Sequence, residues 1–133
     1  MMRLGLFILF VFVLAIGLWA CIGQKSDKFE NLNSSQFNNL IHEHRDIQIV
    51  DVRTAAEYSQ GHIEGSKNID VYDPDFASIV VKRLDPNHPV AVYCKSGRRS
   101  SNAAAILVEK GFKVYNLDKG IKGWQEDGMP VKE

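Results

Sequence analysis

From residue 29 onward, short apolar runs alternate with segments in which apolar side chains recur every three to four positions. Short runs suit strands buried on both faces, and the longer period marks one face of a helix. Their alternation predicts an α/β domain with an open sheet of about five mostly parallel strands flanked by helices. Residues 47–52 (IQIVDV) and 90–94 (VAVYC) are the clearest strands and 114–117 (VYNL) a third, with 66–69 and 29–32 weaker candidates.

The helical segments carry their own start and stop signals. Ser34 or Ser35 is expected to cap a helix whose buried face holds Phe37, Leu40 and Ile41. Pro74 suits the first turn of a second helix reaching about Leu84, because its fixed φ and missing N–H cost nothing there. A third helix, rich in alanine, is expected over residues 99–110, with Gly111 at its C-terminal cap.

The N-terminal pattern is different. Met1-Met2-Arg3 makes a short positive start, and no charged residue follows from Leu4 to Ala20. That order reads as an export signal, and the run falls slightly short of the roughly 20 apolar residues a spanning helix needs. Leu18-Trp19-Ala20-Cys21 places a small residue before a cysteine at the end of the run, which resembles a bacterial lipoprotein signal with Cys21 as the lipidated residue. The alternative is an uncleaved N-terminal anchor. Residues 21–28 then form a polar tether and 29–133 a single domain in the cell envelope, attached to a membrane through lipid or anchor.

Composition narrows the partners. The chain has 133 residues, 45% hydrophobic and 24% charged, enough to bury a core. Basic and acidic side chains number 16 each. Loss of residues 1–20 removes Arg3 alone and leaves fifteen against sixteen, a net charge of −1. A nucleic-acid binder would show a strongly basic domain, so none is expected. The densest basic cluster is Lys95, Arg98 and Arg99.

That cluster follows Cys94. An exported protein normally pairs its cysteines, yet here Cys21 is assigned to lipid and Cys94 is left as a free thiol. Cys94 closes a strand shortly before a helix, so residues 94–99 must turn at the carboxyl edge of the sheet, where open α/β sheets bind ligands. Gly97 allows a tight turn and Ser96 adds little bulk, so successive amides can form an anion-binding nest. Such a nest, together with Lys95 and Arg98, favours thiolate over thiol and binds an anionic substrate.

The segment Cys94-Lys95-Ser96-Gly97-Arg98-Arg99-Ser100 resembles the active-site loop of the rhodanese family. Two further stretches match in order: Asp51-Val52-Arg53, Glu57-Tyr58, Gly61-His62-Ile63, Gly65 and Asn68-Ile69 upstream, then Leu117, Gly120, Trp124 and Gly128-Met129-Pro130-Val131 downstream. The resemblance covers residues 29–133. It implies a rhodanese-like fold and a sulfurtransferase with Cys94 as nucleophile. Lys95, Ser96, Gly97, Arg98, Arg99 and Ser100 then bind a small anionic sulfur donor such as thiosulfate, and the acceptor is cyanide or a thiol. Arg99 could instead turn back into the fold. The six residues from Cys94 to Arg99 match the sulfurtransferases rather than the related phosphatases and arsenate reductases, whose loop is one residue longer. The rivals are a persulfide carrier without turnover and a phosphatase-like hydrolase.

The resemblance also makes Asp51 and Arg53 a structural pair supporting the loop. Where many members have two adjacent glycines, this chain has Lys119 before Gly120, which raises the expectation of a strained left-handed lysine. His62 is expected to hydrogen-bond and pack rather than act as a base, and Trp124 to pack the last helix. His42 and His44 are two apart on a helix and face different directions, so no metal site is expected and no cofactor is implied.

Overall fold

A computed structural model describes residues 28–133. The apolar run at 4–20, Cys21 and the tether up to residue 27 lie outside the described residues. Within them the chain forms strands β1 (Glu30–Leu32), β2 (Gln48–Asp51), β3 (Lys67–Asn68), β4 (Val90–Tyr93) and β5 (Val114–Leu117). The helices are α1 (Ser34–Glu43), α2 (Ala55–Gln60), α3 (Phe76–Arg83), α4 (Arg98–Glu109) and α5 (Gly120–Glu126). All strands are parallel, in the order β1-β5-β4-β2-β3. No helix among the described residues is long and apolar enough to cross a membrane.

The period of two along β4 builds both halves of the core. Val90, Val92 and Cys94 pack with Val80 of α3 and Ala103, Ala104 and Leu107 of α4. Ala91 and Tyr93 pack with Phe37 of α1 and Ile121 and Trp124 of α5 on the opposite face. β4 is buried along its whole length, as a strand covered by helices on both sides must be. The first residue after it is therefore delivered to the carboxyl edge at the centre of the sheet.

Four details differ from the sequence expectation. Asn33, rather than Ser34 or Ser35, caps α1: its side chain accepts from the Gln36 amide at 2.8 Å while the Gln36 side chain accepts from the Asn33 amide at 3.0 Å. Pro74 lies outside α3, which begins at Phe76. The aspartates Asp70 and Asp73 bind backbone amides two residues ahead and hold the preceding segment in turns. α2 has no counterpart in the sequence reading; it is six residues long with no buried side chain, and Thr54 and Glu57 form its capping box. Lys119 has φ −102°, and the left-handed position falls on Gly120 at φ +61°, so no strained lysine results.

Candidate active site

The site lies at the carboxyl ends of β2 and β4, which pair in register with Asp51 beside Tyr93. After Tyr93 the chain leaves the sheet at Cys94, and four residues later α4 begins at Arg98. Gly97 makes this short turn with φ +98°, and a Cβ there would collide with the Asp118 carbonyl. The loop is stapled from the other side by α5, whose Ile121 and Lys122 amides donate to the carbonyls of Cys94 (2.9 Å) and Lys95 (3.0 Å). Gly120 permits that approach, since a side chain there would strike the Lys95 carbonyl.

The geometry converges on one sulfur. Cys94 is 1% exposed, and the Gly97 amide donates to its Sγ at 3.1 Å. Burial pushes the thiol up, but hydrogen bonds from the Ser100 hydroxyl and from the amides of Ser100, Gly97 and Ser96 outweigh it, and the net shift is downward. The Ser100 hydroxyl also reaches the Gly97 carbonyl at 3.2 Å. That carbonyl already accepts from the Ser101 hydroxyl at 2.7 Å and the Ser101 amide at 3.1 Å, which leaves Ser100 free to turn to the sulfur as it ionises.

The basic side chains divide. Lys95 and Arg98 are exposed, and Ser96 with them. Arg99 turns away and donates to both carboxylate oxygens of Glu57, at 2.8 and 2.9 Å, with its guanidinium carbon 5.7 Å from the centre of the Tyr72 ring. The fork-to-fork bond, together with Thr54, holds the Glu57 carboxyl at about 2 and raises Arg99 further above its ordinary value. Glu57 stands in the matched motifs, but only the fold brings it to Arg99, 42 positions away.

Asp51 and Arg53 sit beside this loop and close on each other. Asp51 accepts from the Arg53 amide (2.9 Å), from Nε (3.0 Å to each oxygen) and from Nη2 (2.7 Å). Arg53 Nη2 also donates to the Gly61 carbonyl at 2.7 Å, and the guanidinium lies 5.9 Å from the centre of the Tyr93 ring. Burial works against the Arg53 charge, but the Asp51 bonds and charge prevail and raise its pKa. The Tyr93 hydroxyl accepts from the Ile63 amide and pairs with Ser66, both at 3.0 Å; burial, then the Asp51 charge, drives its pKa up.

The remaining expectations concern packing. His62 bonds the Tyr58 carbonyl through Nδ1 at 3.0 Å and stacks on the Tyr58 ring at 3.9 Å. Trp124 is buried, donates to the Pro130 carbonyl at 2.8 Å and meets Phe37 edge-on. His42 and His44 are exposed at the end of α1.

A cleft of about 300 Å³ opens beside the loop, lined by Arg53, Glu57, Gln60, Lys95, Lys122 and Gln125. Sequence reading did not find it, because Lys122 and Gln125 belong to no motif and reach the loop only through the α5 staple. A second cavity of about 380 Å³, against Trp124 and Val131, contains none of the loop residues.

Residues 33–127 match the family model described as a rhodanese-like domain. The chain is similar to the thiosulfate sulfurtransferase GlpE of Stutzerimonas stutzeri, 42% identical over 79 residues covering 58% of this chain and 69% of the relative. It is 35% identical to the protein of the same name from Shewanella oneidensis over 99 residues, 74% of this chain and 94% of the relative. Its fold matches a rhodanese-related protein from Thermoplasma volcanium with a TM-score of 0.64 and 27% identity, covering 78% of this chain and 98% of that one.

Proposed function

The chain belongs to the rhodanese family, and from that premise we propose that it is a thiosulfate sulfurtransferase that carries sulfane sulfur as a persulfide on Cys94. The observation that carries this reading is a buried thiol at the centre of the sheet edge with the Gly97 amide 3.1 Å from its sulfur.

The reaction is a two-step nucleophilic exchange. In the first step the Cys94 thiolate attacks the outer sulfur of thiosulfate. A new S–S bond forms to Cys94, the old S–S bond breaks, and sulfite leaves with its electron pair. In the second step cyanide or a thiolate attacks that outer sulfur and Cys94 departs as thiolate. Thiocyanate or an acceptor persulfide is the second product, and the enzyme returns to its starting charge. Lys95, Arg98 and the loop amides hold the donor dianion. Arg99, spent on Glu57, supports the loop wall instead.

The full-length protein with thiosulfate and cyanide is expected to release thiocyanate with repeated turnover, and Cys94→Ser to lose the activity without unfolding. A single sulfur transferred per chain would make it a carrier, and hydrolysis of an aryl phosphate in place of thiocyanate formation would favour a phosphatase.

The domain's place in the cell envelope, with lipid on Cys21, rests on the uncharged run before Ala20-Cys21. Metabolic labelling with palmitate checks it: a Cys21→Ala variant should lose the label, and one that kept it would remove the assignment.

A further inference from the structure

We propose that the cleft beside the loop is an acceptor subsite for a small organic thiol bearing carboxylates, with Lys95 and Lys122 as its anion-binding pair. This rests on the sulfurtransferase reading and adds the site and class of the acceptor.

Three observations carry it. The first is charge. Arg53 is tied to Asp51 and Glu57 to Arg99, so the ionic groups of the cleft wall are already matched. Lys95 and Lys122 are exposed and make no ion pair among the described residues. The net field of the cleft is thus two unmatched ammonium groups, which suits a ligand with two negative charges.

The second is placement. The Lys122 amide donates to the Lys95 carbonyl at 3.0 Å, and the neighbouring Ile121 amide to the Cys94 carbonyl at 2.9 Å. The two lysines therefore spring from backbone bonded together, one residue along from the nucleophile. Lys95 belongs to both the loop and the cleft and directly follows Cys94 in the chain, which joins the cleft to the loop that holds the nucleophile.

The third is size. About 300 Å³ is far more room than thiosulfate or cyanide occupies, and the lower end of the usual range for small-molecule sites. Gln60 and Gln125 line the same space and offer amide donors and acceptors to a multifunctional organic molecule.

Seated there, the acceptor thiol gives its proton to solvent and its thiolate attacks the outer sulfur of the persulfide. The Cys94 S–S bond breaks, the acceptor leaves as its own persulfide, and Cys94 is restored as thiolate. No oxidant or reductant is needed. Cyanide and thiols without carboxylates lack the group that Lys122 would hold.

The test compares mercaptosuccinate with 2-mercaptoethanol as acceptor, thiosulfate as donor, and cyanide turnover in parallel. In the unmodified full-length protein, kcat/KM should favour mercaptosuccinate, and added salt should shrink that preference. Lys122→Glu should lower the mercaptosuccinate to mercaptoethanol ratio about tenfold through KM, and Lys122→Arg should keep it. A ratio that Lys122→Glu leaves in place, while cyanide turnover proceeds, overturns the acceptor subsite alone. Absence of cyanide turnover in the unmodified protein overturns the sulfurtransferase reading beneath it.

Discussion

The ends of β2 and β4 lie side by side on one sheet edge, yet they use their polar groups in opposite ways. At the end of β2 every charge is answered: Asp51 takes three donors from Arg53, whose remaining reach goes to the Gly61 carbonyl. At the end of β4 the donors gather on one sulfur atom, and two cations, Lys95 and Arg98, stay in solvent. Self-satisfied charge makes the first region a rigid wall. Donors waiting on an anion make the second a reactive cradle. The difference follows from the residue each strand delivers to the edge: an aspartate that can be closed by a neighbouring arginine, and a cysteine that can only be stabilised as an anion.

Breaking the closed side should have the larger effect on stability. Arg53→Ala leaves the Asp51 carboxylate buried without its partner, and should cost about 3–5 kcal/mol in urea unfolding. A variant that unfolds like the parent but has lost activity would move Arg53 from the wall to the substrate.

On the open side, Ser100→Ala removes the hydroxyl that most favours the thiolate, and should raise the Cys94 pKa. The sign is simple. In the parent the pKa is lowered, so alkylation by iodoacetamide should reach half its plateau below the ordinary thiol range of about 8.5. In the variant that midpoint moves up and the rate at neutral pH falls. Superposable pH profiles would remove Ser100 from the cradle.

The smallest effect belongs to the contact that links wall and cradle. Glu57→Gln weakens the grip on Arg99 and should cost about 1 kcal/mol or less, since both side chains are partly exposed. The Glu57 carboxyl is held at about 2, below its usual 4.5. Its stabilisation is therefore complete above about pH 4.5 and lost as the pH falls towards 2, so parent and variant should converge over that interval in urea melts.

The sequence made one side of this comparison easier to read than the other. β4 is a fully buried apolar run, and β2 and β5 centre on Ile, Val, Leu and Tyr with one or two polar residues each, a pattern that survives without any tertiary information. The Cys94 loop is contiguous, so its glycine, serines and cations could be read together. α2 was invisible to periodicity because it buries nothing, though the Thr54…Glu57 spacing is a capping-box signal that could have located it. The choice of Asn33 over Ser34 depends on Gln36 reaching back, a reciprocal bond that the serines concealed. The Glu57–Arg99 bond and the Lys95–Lys122 cleft join distant segments, and no local pattern encodes such meetings.

The proposed chemistry requires that the Cys94 cradle hold sulfur. Incubating the full-length protein with thiosulfate, separating it from the reagent and measuring peptide masses tests that directly. The expected result is the gain of one sulfur atom on the Cys94 peptide, release of sulfite, and loss of the added mass on treatment with cyanide. Unchanged Cys94 with no sulfite released would contradict it.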